Sequence, residues 1–149
     1  MAGPMMATGE EITRQATCIE IDGRGVLIEG APGSGKTSLA LELIDRGARL
    51  VGDDGVLLRA EGSRLIASPH PRTRGLIEVR NLGILKFPCT EGVALALALT
   101  LDAKAPRFVE EAGALEIAGI ALPHLRIWPE GGPLAIKAEL ALRHFGLHF

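Results

Sequence analysis

Aromatic residues make up only 3% of the 149 positions, and tyrosine is missing altogether. What remains, Trp128 and four phenylalanines, reads as core. Cysteine is scarce as well. Cys18 and Cys89 stand apart, form no C-x-x-C pair, and give neither a disulfide framework nor a thiolate zinc site, so they read as reduced thiols of a cytoplasmic protein. An excess of charge is missing too: 16 Lys and Arg face 18 Asp and Glu, for a net charge of −2 and a pI near 6.1. A duplex binder usually carries a basic stripe, so no nucleic-acid partner is expected. Long apolar runs are absent. The most continuous, Val93–Leu101, falls far short of the roughly 20 residues that span a bilayer, and Met1–Gly9 has neither the basic start nor the apolar core of a signal peptide. The expectation is a soluble, cytoplasmic protein with no membrane partner.

Against these absences stand hydrophobic and charged shares of 47% and 23%, which are globular averages, and a length suited to one domain with its own core. Glycine is the excess: 19 residues, about twice the usual share of roughly 7%. Residues 1–12 read as a frayed, disordered leader, and residues 13–149 as one domain. Two strands, Thr17–Ile21 and Val26–Glu29, are joined by Asp22-Gly23, a pair suited to a tight hairpin turn. Leu39, Ala40, Leu43 and Ile44 then recur at helical spacing, predicting a helix over 37–46 with Gly47 as its C-terminal cap. Further strands are expected at Leu50–Val51, Val56–Arg59, Arg64–Ala67, Leu76–Val79, Gly83–Leu85, Leu115–Ile117 and Ile120–Ile127. The run Val93–Leu101 alternates large and small apolar residues, which places it mid-sheet with one closely approached side. Leu134–Phe145 closes the chain as a helix.

The glycines concentrate at Gly30-Ala31-Pro32-Gly33-Ser34-Gly35-Lys36-Thr37, a full match to G-x-x-x-x-G-K-[ST] between an apolar strand and an amphipathic helix. Such a loop turns backbone N–H groups toward an anion at a helix N-terminus, where the helix dipole favours negative charge. The lysine reaches the β- and γ-phosphates and the Thr37 hydroxyl is placed to ligate Mg²⁺. The only asparagine, Asn81, is followed by Leu82, so the N-K-x-D guanine motif of GTPases is absent. Arg107, Arg126 and Arg143 lie too far apart for the Arg-rich lid of small-molecule kinases.

Asp53-Asp54 follows the strand after the helix, at the carboxyl end where α/β sheets bind ligands. One carboxylate can then serve as general base to an acceptor hydroxyl while the other steers Mg²⁺ or buttresses the loop. The residue pattern does not tell which does which. Glu78 stands on a strand between apolar neighbours, either turned toward Mg²⁺ or on the surface beside Arg80. Arg72, Arg74 and Arg80 are candidates for phosphate or protein contact, or simply a solvated face. His144 and His148 are four apart, but Gly146 breaks the helix between them, which argues against a metal pair.

Three motifs in this order, the phosphate loop, the block Ala40–Asp54 and Glu78-Val79-Arg80-Asn81-Leu82-Gly83-Ile84, resemble the catalytic domain of HPr kinase/phosphorylase, particularly its short alphaproteobacterial form. The resemblance is dense over residues 17–85 and thin beyond. It implies a phosphate-loop nucleotide-binding fold of the HPr kinase and PEP carboxykinase-like type, a mixed α/β sheet with flanking helices. It also implies transfer of the ATP γ-phosphoryl group to a serine of the phosphocarrier HPr, reversed by phosphate attack with release of pyrophosphate. By the same resemblance Gly30 to Thr37 bind the phosphates of ATP, Thr37 and Glu78 hold Mg²⁺, and Asp54 accepts the proton with Asp53 beside it; the assembly is a homo-oligomer, a hexamer. Three positions depart from the family pattern. Gln15 stands where the family has a histidine, Asn81 replaces a glycine of the signature, and Pro129–Pro133 lacks the arginine of the family's late loop. An ATP-binding module without transfer, or a small-molecule kinase, are the competing readings. If residue 81 needs a positive φ, asparagine is the least costly substitute for glycine.

Overall fold

The expected hairpin forms. In a computed structural model, which describes residues 10–149, Asp22 and Gly23 adopt φ of 49° and 86° and join β2 (Thr17–Ile21) to β3 (Arg24–Gly30) as an antiparallel pair. The leader expected over residues 1–12 lies mostly outside the described residues. Ile12 already pairs with Leu58 in β1 (Ile12–Arg14), so regular structure begins one residue before the expected domain start. Helix α1 (Lys36–Asp45) buries Leu39, Ala40 and Leu43, the stripe its spacing predicts. The strands β4 (Arg49–Gly52), β5 (Val56–Glu61), β6 (Arg64–Pro69), β7 (Leu76–Val79) and β8 (Gly83–Lys86) follow. Then come β9 (Val93–Leu101), β10 (Gly113–Ile117), β11 (Ile120–Ile127) and α2 (Leu134–Phe145).

The main sheet runs β1-β5-β6-β9-β3-β2-β4, with β11 also on β9 and β10 on β11, while β7 and β8 form a separate hairpin. It is mixed: β3, β9 and β11 are parallel and the other pairings antiparallel. The β9 strand is central, as its apolar run predicts. It shares one edge between β6, at Val93 and Ala94, and β11, at Ala98–Leu101, and gives the other edge to β3.

One expectation about β9 fails for a geometric reason. Strict alternation would put its leucines on one face and its alanines on the other. The register against β3 slips between Gly25 and Val26, so Leu97, Leu99 and Leu101 face the helices while Leu95 joins the core on the opposite face. The small residues divide likewise, Ala96 to one core and Ala98 to the other. Both α1 and α2 cover the first face, where α2 buries Ala135, Ala138, Ala141 and Leu142. A two-pronged ion pair between Arg46 and Glu139, with both contacts at 2.9 Å, ties the end of α1 to α2.

Three of the five aromatic residues are not core, while Phe145 packs against the helix-side core. Phe108 is 77% exposed, Phe149 51% and Trp128 41%, and Phe87 and Phe145 are half-buried. Leucine, isoleucine, valine and alanine fill both faces instead, and they suit a sheet whose strands and helices approach closely. No helix among the described residues is long and apolar enough to cross a membrane.

Candidate active site

The phosphate loop connects the end of β3 directly to the start of α1. Gly35 sits at the head of the helix with φ of 104°, a conformation that suits glycine, and among the described residues no side chain caps the helix end. The first N–H groups of a helix have no intrahelical partners, so this end is open to an anion. Ser34 Oγ is buried without a hydrogen-bond partner among the described residues. A buried hydroxyl left alone costs about 1–3 kcal/mol, which fits a loop built for an acceptor that the polypeptide does not itself supply. Lys36 Nζ donates to the carbonyl oxygens of Gly30 at 2.8 Å and Ala31 at 3.4 Å, so its ammonium rests against the loop.

The two aspartates lie in the bend just beyond β4, and their environments differ sharply. Asp53 is only 9% exposed. Its Oδ1 accepts hydrogen bonds from the hydroxyls of Thr17, at 3.0 Å, and Thr37, at 3.1 Å; Thr37 also lies 3.3 Å from Oδ2. Burial pushes the Asp53 carboxyl above its ordinary range, opposed by the two hydroxyl hydrogen bonds and by Lys36 and reinforced by the neighbouring Asp54 charge. Asp54 is exposed and takes φ of 61°, the left-handed region that aspartate tolerates better than most residues. The separation of the two carboxylates therefore comes from this turn rather than from the alternation of a strand, because β4 ends at Gly52.

A cavity of about 800 Å³ gathers these groups: Gly33, Gly35, Lys36 and Thr37 from the loop and α1, Asp53 and Asp54 from the bend, and Glu78 and Arg80 from the hairpin. Pro32 lines it as well, whereas Gly30, Ala31 and Ser34 do not. Glu78 reaches the cavity because β7 buries Ile77 and turns the next side chain outward. Among the described residues Glu78 makes no ion pair with Arg80. Asn81 adopts φ of 72°, which explains an asparagine where the signature has glycine. Gln15 is exposed and outside the cavity, and Arg74 is paired with Glu91 at 2.8 Å.

The donor set fits a hard cation. A threonine hydroxyl and aspartate oxygens already converge, and no cluster of three or more His, Cys, Asp or Glu side chains exists among the described residues to make a complete protein cage. Mg²⁺ in nucleotide sites is held in this way, by one or two carboxylates together with substrate phosphates. His144 and His148 belong to no such cluster. Thr17 is the residue that sequence reasoning missed. Its only signal was a polar side chain inside the apolar stretch Ala16-Thr17-Cys18-Ile19.

The order of motifs is matched by known proteins. The family described as HPr Serine kinase C-terminal domain matches residues 6–98, more than half of the chain. The chain belongs to that family. The matched stretch includes the phosphate loop, both aspartates and Glu78, the segments this HPr kinase domain brings to its cavity. HPr kinase/phosphorylase of Clostridium tetani is 44% identical over 79 residues, 53% of this chain and 26% of that protein. The HPr kinase/phosphorylase of Caldicellulosiruptor bescii is 37% identical over 144 residues, 87% of this chain and 46% of that protein. The chain therefore spans from about a quarter to about half the length of these curated relatives. Among solved structures, the Hpr(Ser) kinase/phosphatase from Coxiella burnetii superposes with a TM-score of 0.81 at 30% identity, covering 89% of this chain and 88% of that one. The mixed α/β sheet with flanking helices is thus the fold of an HPr kinase domain.

Proposed function

We propose that residues 13–149 form a phosphate-loop kinase domain that transfers the γ-phosphoryl group of ATP to a serine hydroxyl of an HPr-type phosphocarrier, and catalyses the reverse phosphorolysis. The observation that carries this reading is the pairing of a buried carboxylate on Thr37 with an exposed one beside it, in one cavity with the phosphate loop.

The residues divide the work by environment. The loop amides and the open end of α1 hold the phosphates, and Lys36 exchanges its carbonyl contacts for phosphate oxygens. Thr37, Asp53 and Glu78 are the oxygen donors on the cation side. Mg²⁺ held there would neutralise charge on the phosphate oxygens during transfer. Asp54 takes the proton of the attacking serine as the new serine Oγ–P bond forms and the bond from Pγ to the β-phosphate oxygen breaks, releasing ADP. In the reverse direction an oxygen of inorganic phosphate attacks the phosphoserine phosphorus. Pyrophosphate forms, and Asp54 returns the proton to the departing serine oxygen. The cytoplasmic setting and the hexameric homo-oligomer implied by the resemblance belong to the same proposal.

Incubation with ATP, Mg²⁺ and HPr is expected to give phosphoserine detectable by mass spectrometry, and phosphoserine-HPr with inorganic phosphate to give pyrophosphate. Asp54→Asn should bind nucleotide as the wild type does while transfer falls by about 10²–10⁴-fold. Nucleotide binding without transfer in the wild type would replace this reading with that of an ATP-binding regulatory module; turnover stimulated by a metabolite rather than HPr would make it a small-molecule kinase.

A further inference from the structure

Thr17 is completely buried on β2, flanked by Ala16 and Cys18, which are buried as well. Among the described residues its hydroxyl makes one side-chain hydrogen bond, to Asp53 Oδ1 at 3.0 Å, across 36 positions of sequence. That contact depends on an irregularity between β2 and β4. Ile19 pairs with Leu50, but Cys18 pairs with Gly52, so Val51 is an extra residue on β4. Without that bulge Thr17 would stand opposite Gly52. With it, Asp53 is carried to the level of Thr17, on the face of the strand shared with Ile19.

Valine would fill nearly the same volume at this position, so packing alone does not call for a hydroxyl. Asp53 Oδ1 takes both threonine donors, Thr17 from the sheet and Thr37 from α1, while among the described residues Oδ2 has only the 3.3 Å approach of Thr37. Thr17 thus fixes one oxygen of the carboxylate against a rigid strand. A hydroxyl that gives its proton to a carboxylate still has lone pairs for a cation, so Thr37 can serve both. Groups that orient a metal ligand from behind set its affinity even though they do not touch the ion.

We propose that Thr17 is a positioning residue that holds Asp53 in register with Thr37 for the cation bound with the nucleotide. The inference rests on the reading of Thr37 and Asp53 as cation-side groups, and it predicts a defect in the metal-dependent part of nucleotide binding alone. The test is calorimetric titration of the full chain with a non-hydrolysable ATP analogue, in Mg²⁺ and again in EDTA, for wild type, Thr17→Val and Thr17→Ser. The wild type should bind more tightly in Mg²⁺. Thr17→Val should lose about 10–100-fold of affinity in Mg²⁺ with its affinity in EDTA unchanged, and Thr17→Ser, which restores the hydroxyl, should stay within about twofold of wild type. Thermal unfolding without nucleotide checks that each variant is folded, and Thr17→Ala takes the place of valine under the same criterion if Thr17→Val is not.

A folded Thr17→Val protein with the full Mg²⁺ enhancement overturns the assignment of Thr17 and leaves the phosphate site intact. Equal losses in Mg²⁺ and EDTA overturn it as well, since they mark a structural role. Wild-type protein that binds no nucleotide in either condition overturns the phosphate-site reading itself, and the role of Thr17 with it.

Discussion

Asp53 shows at the residue scale what burying a carboxylate costs. Its carboxyl is buried, and its affinity for the proton is raised in the folded chain. A group whose folded pKa lies above its unfolded value favours folding only where it is protonated, and that contribution is lost as pH rises through the folded value. At neutral pH the charged Asp53 therefore opposes folding. Both threonine hydroxyls donate to the same oxygen, Oδ1, which the amide oxygen of asparagine can replace. Asp53→Asn should raise Tm of the metal-free protein by about 2–4 °C at pH 7, equivalent to roughly 1 kcal/mol for a chain of this size, while abolishing the Mg²⁺ enhancement of nucleotide binding. Calorimetry reads both, and a fall in Tm would contradict the burial argument. His124 tests the opposite sign. Burial lowers its pKa, with Glu29 opposing and Arg126 assisting, and its Nε2 lies 2.8 Å from Thr100 Oγ1 in a hydrogen bond. Its contribution is therefore present above the unfolded value near 6.5 and lost as pH falls through the lower folded value. Thermal unfolding of His124→Gln between pH 5 and 7.5 should show a shallower loss of stability toward acid than the wild type. Parallel curves would remove His124 from the acid response.

Among the elements, the strands from β2 onward and both helices were legible because each has a local cause, helical spacing in α1 and α2 and alternation and turn residues elsewhere, whereas β1 was not expected and forms by pairing with β5. Two slips of register were not legible either, since a bulge is set by what the neighbouring strand presents. One divides the β9 leucines between two cores; the other brings Thr17 to Asp53. Gly52 borders the second, and a Cβ there would lie 2.6 Å from the Gly55 carbonyl oxygen and 2.6 Å from Val56 Cγ1. The backbone carbonyl cannot rotate away as a side chain could. Gly52→Ala should cost about 1–3 kcal/mol, lowering Tm by several degrees, and should weaken Mg²⁺-dependent nucleotide binding because the aspartate bend is displaced. Wild-type binding in a destabilised Gly52→Ala protein would show that the bend tolerates the shift.

For the whole molecule, exposed apolar side chains carry the expectation of association. Ile136 and Leu140, four apart on the outer side of α2, are 41% and 49% exposed, and Leu82 and Ile84 on the β7–β8 hairpin are 71% and 68% exposed. Sedimentation equilibrium is expected to give a multiple of 15.7 kDa, and Leu140→Lys a smaller one; a monomeric wild type would overturn the oligomer proposal. The sequence by itself determined the G-x-x-x-x-G-K-[ST] motif, the acidic pair and the order of elements from β2 onward, because each is written in contiguous residues whose chemistry is local. It carried the fold class through the order of its motifs. Only the tertiary structure decided which aspartate is buried, that Glu78 and Arg80 share a cavity with Lys36, and that Thr17 stands behind Asp53. Those are matters of strand register and hairpin placement, set by packing between segments far apart in the chain. Trp128, Phe108 and Phe149 went to the surface for the same reason: which face of a strand or loop meets solvent is decided by what covers it.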